Sequence, residues 1–170
     1  MTVSSNANKK YESSEERIAE AKKELNMAGN IVNEIYQSRM NEPNEAQLIR
    51  NFYYSLYHVI KGISIIDTGN EYHSHHALIS YFNRDSKKSG FLADILDNVS
   101  ITDEMRSDID RLFVLRDEYD YREENVEEED YKEAEAIWER DYPELENILV
   151  NVLTIRNKNQ WKSTRYLMMH

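Results

Sequence analysis

Not one cysteine occurs in the 170-residue chain, which rules out disulfides, thiolate metal sites and a cysteine nucleophile. Only 4 glycines and 2 prolines are present, too little turn chemistry for a many-stranded sheet and in keeping with long helices. No apolar run approaches the roughly 20 residues that a membrane span requires. The opening stretch MTVSSNANKK lacks the apolar middle of a signal peptide. A soluble, cytoplasmic protein without membrane association is expected. Also missing are the phosphate-cradling G-x-x-x-x-G-K-[ST], the dinucleotide-binding G-x-G-x-x-G and the hydrolase elbow G-x-S-x-G.

What is present in abundance is charge. The chain carries a formal −11 at pH 7, and residues 117–146 alone hold 15 acidic and 3 basic side chains. Residues 154–170 run the other way, with Arg156, Lys158, Lys162 and Arg165 and no acid. An acidic stretch repels phosphate, so broad nucleic-acid binding there is disfavoured. It reads as a solvated helix face, or as a surface for a basic partner in a purely structural or assembly role. The basic and aromatic residues of the tail can stack bases, or form a loose terminus.

The length fits a single domain with a sizeable core. Ser13 followed by Glu16 gives a capping box, and Ile18, Ala21, Leu25, Ala28, Val32 and Ile35 then trace one apolar stripe that fades near Met40. After the turn at Pro43, a second helix is apolar nearly all round from Leu48 to Ile66, as suits the centre of a bundle. Gly69 is placed to end it. A short helix capped by Ser74 follows, then a polar loop over 83–90. A fourth helix starts near Thr102, its Asp103 and Glu104 suiting the positive end of the helix dipole. Val126, Tyr131, Ala134, Ile137 and Trp138 continue the helical pattern until Pro143, where a break or restart is expected. The fold class expected is all-α, an up-down bundle of about five helices. Residues 1–11 are expected as a flexible terminus, 12–153 as the helical domain and 154–170 as a basic tail.

Candidate chemistry gathers around few residues. Arg116 and Asp120 stand four apart, an ion-pair spacing worth about 0.2–0.5 kcal/mol when exposed. His73, His75 and His76 cluster, and His58 lies in the second helix. Neighbouring histidines on a helix point apart, and neither His75 nor His76 has an acid or histidine four residues on, so no metal site and no cofactor is expected. His75 reads as a hydrogen-bonding residue, placed to face His58. The second-helix aromatics, Tyr54 among them, read as core whose hydroxyls need partners.

Three stretches then carry a resemblance. NFYYSLYHVIKGI (51–63), SHHALISYF (74–82) and LFVLRDEYDY (112–121) resemble, in order and spacing, segments of HEPN domains (higher eukaryote and prokaryote nucleotide-binding). The third is similar to the L-R-x-x-x-D-Y ending of a largely uncharacterised branch, and the likeness covers roughly residues 12–152. It implies an up-down bundle, commonly a two-fold homodimer, in which many members are metal-independent RNases, often toxins, and others pair with a small nucleotidyltransferase antitoxin. The RNase motif of the family is R-x4–6-H. Carried over, Arg116 takes the arginine position and the histidine position falls on Tyr121. Asn51 stands where the branch has arginine, with Arg50 shifted by one.

The chemistry of that substitution matters. A guanidinium forks onto phosphate oxygens. An imidazole titrates near neutrality and serves as a base, whereas a phenol is ionised to only about one part in a thousand at pH 7. Asp120 is charged but adds repulsion beside a phosphate. The residues therefore suit binding better than cutting. Arg116 and Tyr121 form the candidate catalytic pair, and Asp120, His58, His75, Tyr54 and Asn51 are expected to be ligand-binding or structural. The expected function is nucleotide, RNA or partner binding in a toxin–antitoxin or stress-response setting. An active metal-independent endoribonuclease, using Arg116 with Tyr121, His58 or His75, is the alternative.

Overall fold

The computed structural model describes residues 9–85, 101–120 and 125–169. Five α-helices appear among them: α1 (Ser14–Met40), α2 (Glu45–Thr68), α3 (His75–Ser80), α4 (Asp103–Asp120) and α5 (Glu128–Met169). A π-helical turn, Tyr81–Asp85, follows α3. The all-α bundle read from the sequence is the fold observed. None of these helices is long and apolar enough to cross a membrane.

Helix starts follow local chemistry. The Ser13 side chain accepts from the Glu16 N–H, Asn44 does the same for Gln47 and Ser74 for Ala77, each at 3.1 Å. Thr102 Oγ1 likewise accepts from the Met105 N–H at 3.1 Å. Each bond satisfies one of the donors that a helix leaves open at its first turn.

Helix α2 is the hub and packs on α1, α4 and α5. Its Leu48, Ile49, Phe52, Leu56, Val59, Ile60 and Ile63 are buried. It is not apolar all round, however. Gln47, Arg50, Tyr54, Tyr57, His58 and Lys61, at spacings of three and four, reach the surface to differing degrees. Three neighbours cover only part of a helix's circumference, and this polar stripe is the remainder.

Two features depart from expectation. Pro143 lies inside α5 and does not divide it. An interior proline forfeits a backbone hydrogen bond and costs about 3 kcal/mol. Here Trp138 and Tyr142 before it, and Leu145, Ile148 and Leu149 after it, are all buried in the same core, so both halves stay docked. The helix then continues through the stretch expected as a tail, to Met169.

The second departure is a two-residue antiparallel pairing of β1 (Lys9–Lys10) with β2 (Asn70–Glu71). Within the terminus expected to be flexible, Tyr11 is buried and its N–H donates to the Gly69 carbonyl at 2.6 Å. Gly69 has φ of 76°, and a Cβ there would stand 2.4 Å from the Tyr11 carbonyl oxygen. That oxygen belongs to backbone and cannot yield. Gly69→Ala is therefore expected to cost about 2 kcal/mol or more in urea unfolding. Gly62→Ala makes the contrast, since its Cβ would press on the Leu149 side chain, at 2.8 Å, and meet the Ala21 carbonyl oxygen only at an ordinary 3.5 Å. A side chain can turn aside, and alanine gains roughly 0.5–1 kcal/mol of helix preference, so this variant should fall near neutrality.

Candidate functional site

The polar stripe of α2 meets the end of α4 in a compact cluster. Arg50 Nε donates to Asp120 Oδ1 at 2.8 Å, and Arg116 Nη1 donates to Asp120 Oδ2 at 3.0 Å. Two guanidiniums from different helices thus hold the two oxygens of one carboxylate. Arg50 Nη1 also donates to Gln47 Oε1 at 3.2 Å, and Gln47 Nε2 donates to Asn51 Oδ1 at 3.0 Å.

Arg116 is only 9% exposed. Its guanidinium lies over the rings of Tyr53, Tyr54 and Phe113, 5.0–5.7 Å from their centroids. Such cation–π contact compensates part of the desolvation. Nη1 also donates to the Tyr54 hydroxyl at 3.4 Å, while Nε is buried without an acceptor among the described residues.

His75 joins the same aromatic group. Its Nδ1 is 2.8 Å from the Tyr53 hydroxyl, and its ring packs against Tyr53, Tyr54, Tyr57 and Phe113. Burial, and then the nearby Arg116 charge, push its pKa below the usual histidine range. A neutral imidazole keeps one ring nitrogen that can take a proton, Nδ1 on the Tyr53 hydroxyl or Nε2, according to its tautomer. Burial also pushes the Tyr53 hydroxyl far up, out of reach as a phenolate.

His58 is held elsewhere. Its Nδ1 lies 2.6 Å from Glu24 Oε2, and the Tyr57 ring contacts both His58 and His75. Lys61 bridges Glu24 and Glu71, and the Tyr11 hydroxyl donates to Glu71. This network anchors the N-terminal stretch to α2. His73 Nε2 accepts from the Lys9 N–H, and His76 meets the edge of Phe113. Among the described residues no three His, Asp or Glu side chains are gathered to hold a metal ion.

Of the residues singled out from sequence, Arg116, Asp120, Tyr54 and His75 come together, and Asn51 joins through Gln47. His58 belongs to the Glu24 network, and Tyr121 lies outside the described residues. Arg50 and Tyr53 were missed as members. The three-and-four spacing of Gln47, Arg50, Tyr54, Tyr57 and Lys61 was the available signal, masked by the apolar residues between them. A groove of about 470 Å³ lies apart from the cluster, lined among others by Tyr36, Arg39, Tyr142 and Pro143.

No curated protein and no solved structure matches the chain. The family model described as HEPN domain matches residues 7–142, a span that takes in α1, α2, α3, α4, the polar cluster and the first part of α5. The chain is a member of the HEPN domain family.

Proposed function

We propose that the cluster of Arg50, Arg116 and Asp120 is a phosphate-binding site, and that the protein binds a nucleotide there in preference to extended RNA. The observation that carries this reading is the convergence of two guanidiniums, at 2.8 and 3.0 Å, on the two oxygens of a single carboxylate. A phosphate presents paired oxygens at similar spacing and with greater charge. Tyr54 and His75 supply ring surface beside it. The acidic stretch 117–146 surrounds the site with negative charge, which weighs against a long polyanion more than against one compact phosphate.

Fluorescence polarisation with a labelled nucleoside triphosphate and a labelled RNA oligomer, at low salt, tests this. Binding of the nucleotide, weakened about tenfold in Arg50→Ala, is the expected result. Arg50 is partly exposed, so its loss should leave the fold intact. Binding of neither probe, by the wild type or by an Asp120→Asn variant that frees both arginines, overturns the reading. Co-purification with a small nucleotidyltransferase in that case would transfer the surface to a protein partner, in the toxin–antitoxin setting in which family members occur.

The second reading, a metal-independent endoribonuclease, is favoured by one feature. His75 is kept neutral on the same aromatic rings as Arg116, so a base stands near the cation even though the motif histidine is absent. RNA incubated with the purified protein in a chelator should then be cut, and His75→Ala should lower the rate by about a hundredfold or more. An uncut substrate dismisses it. A two-fold homodimer, as is common in the family, would bring two such clusters into one particle.

A further inference from the structure

The carboxylate held between the two arginines occupies the place that the phosphate needs. We infer that Asp120 is a built-in competitor, an autoinhibitory acid that a phosphate must displace before it can reach Arg116; this rests on the phosphate-binding reading of the cluster.

Three observations converge on it. The first is connectivity: Asp120 takes the shorter hydrogen bond of each guanidinium, from Nε of Arg50 at 2.8 Å and Nη1 of Arg116 at 3.0 Å. The second is position. Asp120 is the last residue of α4, whose final turn also holds Asp117 and Glu118 and has no basic residue. The C-terminal end of a helix carries partial negative charge and favours cations. A carboxylate there is opposed by its own helix, so the two arginines are what retain it. Once they are engaged elsewhere, Asp120 has reason to leave.

The third is an unmet donor. Arg116 is nine-tenths buried, and its Nε has no acceptor among the described residues. The side chain reaches Asp120 through Nη1 alone, an end-on contact. While Asp120 holds it, Arg116 is thus short of acceptors, a shortfall that a phosphate, with more oxygens than a carboxylate, can make up. Access is graded in the same sense, because the Arg50 side chain is 41% exposed, that of Asp120 19% and that of Arg116 10%. An incoming anion meets Arg50 first, turns Asp120 out towards solvent and then gains Arg116.

The test compares nucleoside triphosphate affinity, by fluorescence polarisation, in wild type, Asp120→Asn and Asp117→Asn. Asp117 is the control: its carboxylate is 3.9 Å from Arg116 Nη2 and its side chain 55% exposed. Removing it subtracts the same charge from the same helix turn without freeing Arg50. A competitor predicts about ten- to hundredfold tighter binding for Asp120→Asn, and no more than about threefold for Asp117→Asn, which alters only the screened field. Asp120→Ala, checked for helix content by circular dichroism, repeats the measurement should the asparagine variant fold poorly.

Equal gains in the two variants, or none in Asp120→Asn while wild type binds, overturn the competitor and leave the phosphate site standing. Binding by Asp120→Asn with none by wild type supports it in its strongest form. No binding by either protein overturns both readings together.

Discussion

Asp141→Asn is expected to stabilise the protein, and to do so increasingly as pH rises from about 5 to 8. Asp141 sits on α5, 2% exposed, with Oδ2 buried and lacking a donor. Burial, first of all, then a hydrogen bond with Asp108 and repulsion from that same carboxylate, push its pKa up to about 8. Arg140 opposes the shift, lying 3.7 Å from Asp141 while donating to Asp108 at 2.6 Å, and Glu104 adds to it. Asp141 is therefore the acid that keeps its proton at neutral pH, at the α4–α5 contact.

The sign follows from linkage. The unfolded chain releases that proton near the ordinary value of 3.8, the folded chain near 8. The contribution to stability is fully present below the first value, declines between the two and is gone above the second. Asparagine is close to the same shape, can donate to Asp108 and never ionises, so the variant lacks that decline. A buried charge only partly met by Arg140 costs about 2 kcal/mol, which corresponds to roughly 4–8 °C in a domain of this size. Thermal melts of both proteins at steps from about pH 5 to 9 should show the gap opening and then levelling. A gap that stays constant with pH would mean that Asp141 holds no proton of its own in this range. In Asp108→Asn the repulsion is gone, and the decline should move to lower pH.

Asp141 also marks a limit of reading from sequence. Amid 15 acids in 30 residues, nothing in the string singles out the one that faces inward. Helical periodicity does place it beside Trp138 and Leu145, but a charged residue on that face is ordinarily read as solvated. The capping residues Ser13 and Ser74, the apolar stripe of α1 and the left-handed Gly69 were all legible, because each depends on neighbours within one turn. The candidate site was half legible for the same reason. Arg116 and Asp120 share a helix and could be paired by spacing, whereas Arg50 and His75 reach the cluster through tertiary packing of α2 and α3 on α4.

Pro143 failed as a helix breaker on the same principle. The rule is local, and the burial on both sides of it is not. The β1–β2 pairing was beyond reach because two residues of strand have no periodicity to detect.

The largest loss of stability should come from Trp138→Ala. The indole is buried, stacked on Phe52 at 5.1 Å and on Tyr142 at 5.5 Å, with Tyr36 at its edge. The Arg39 guanidinium lies 5.3 Å from its centroid, and its Nε1 donates to Ser55 Oγ at 2.8 Å. Truncation removes this contact area and leaves a cavity between α2 and α5, at about 3–5 kcal/mol. Against a total of roughly 5–15 kcal/mol for a domain, that is a third or more, and the melting temperature should fall by about 6–20 °C.

Trp138→Phe separates the ring from its hydrogen bond. It keeps an aromatic ring against Phe52 and Tyr142 and loses the donor to Ser55 together with one ring of the indole, and the Ser55 hydroxyl still donates to the Phe52 carbonyl at 2.9 Å. The expected cost is about 1–2 kcal/mol. Should both variants lose the same amount in urea unfolding, the hydrogen bond outweighs the packing, and ring stacking is not what docks α5 on α2. The phenylalanine variant also isolates stability from binding. Trp138 packs on Phe52, on the core side of α2, whereas Arg50 and Tyr54 lie on the polar stripe of the same helix. Nucleotide affinity should therefore survive Trp138→Phe unchanged, provided that the measurement is made well below its melting temperature.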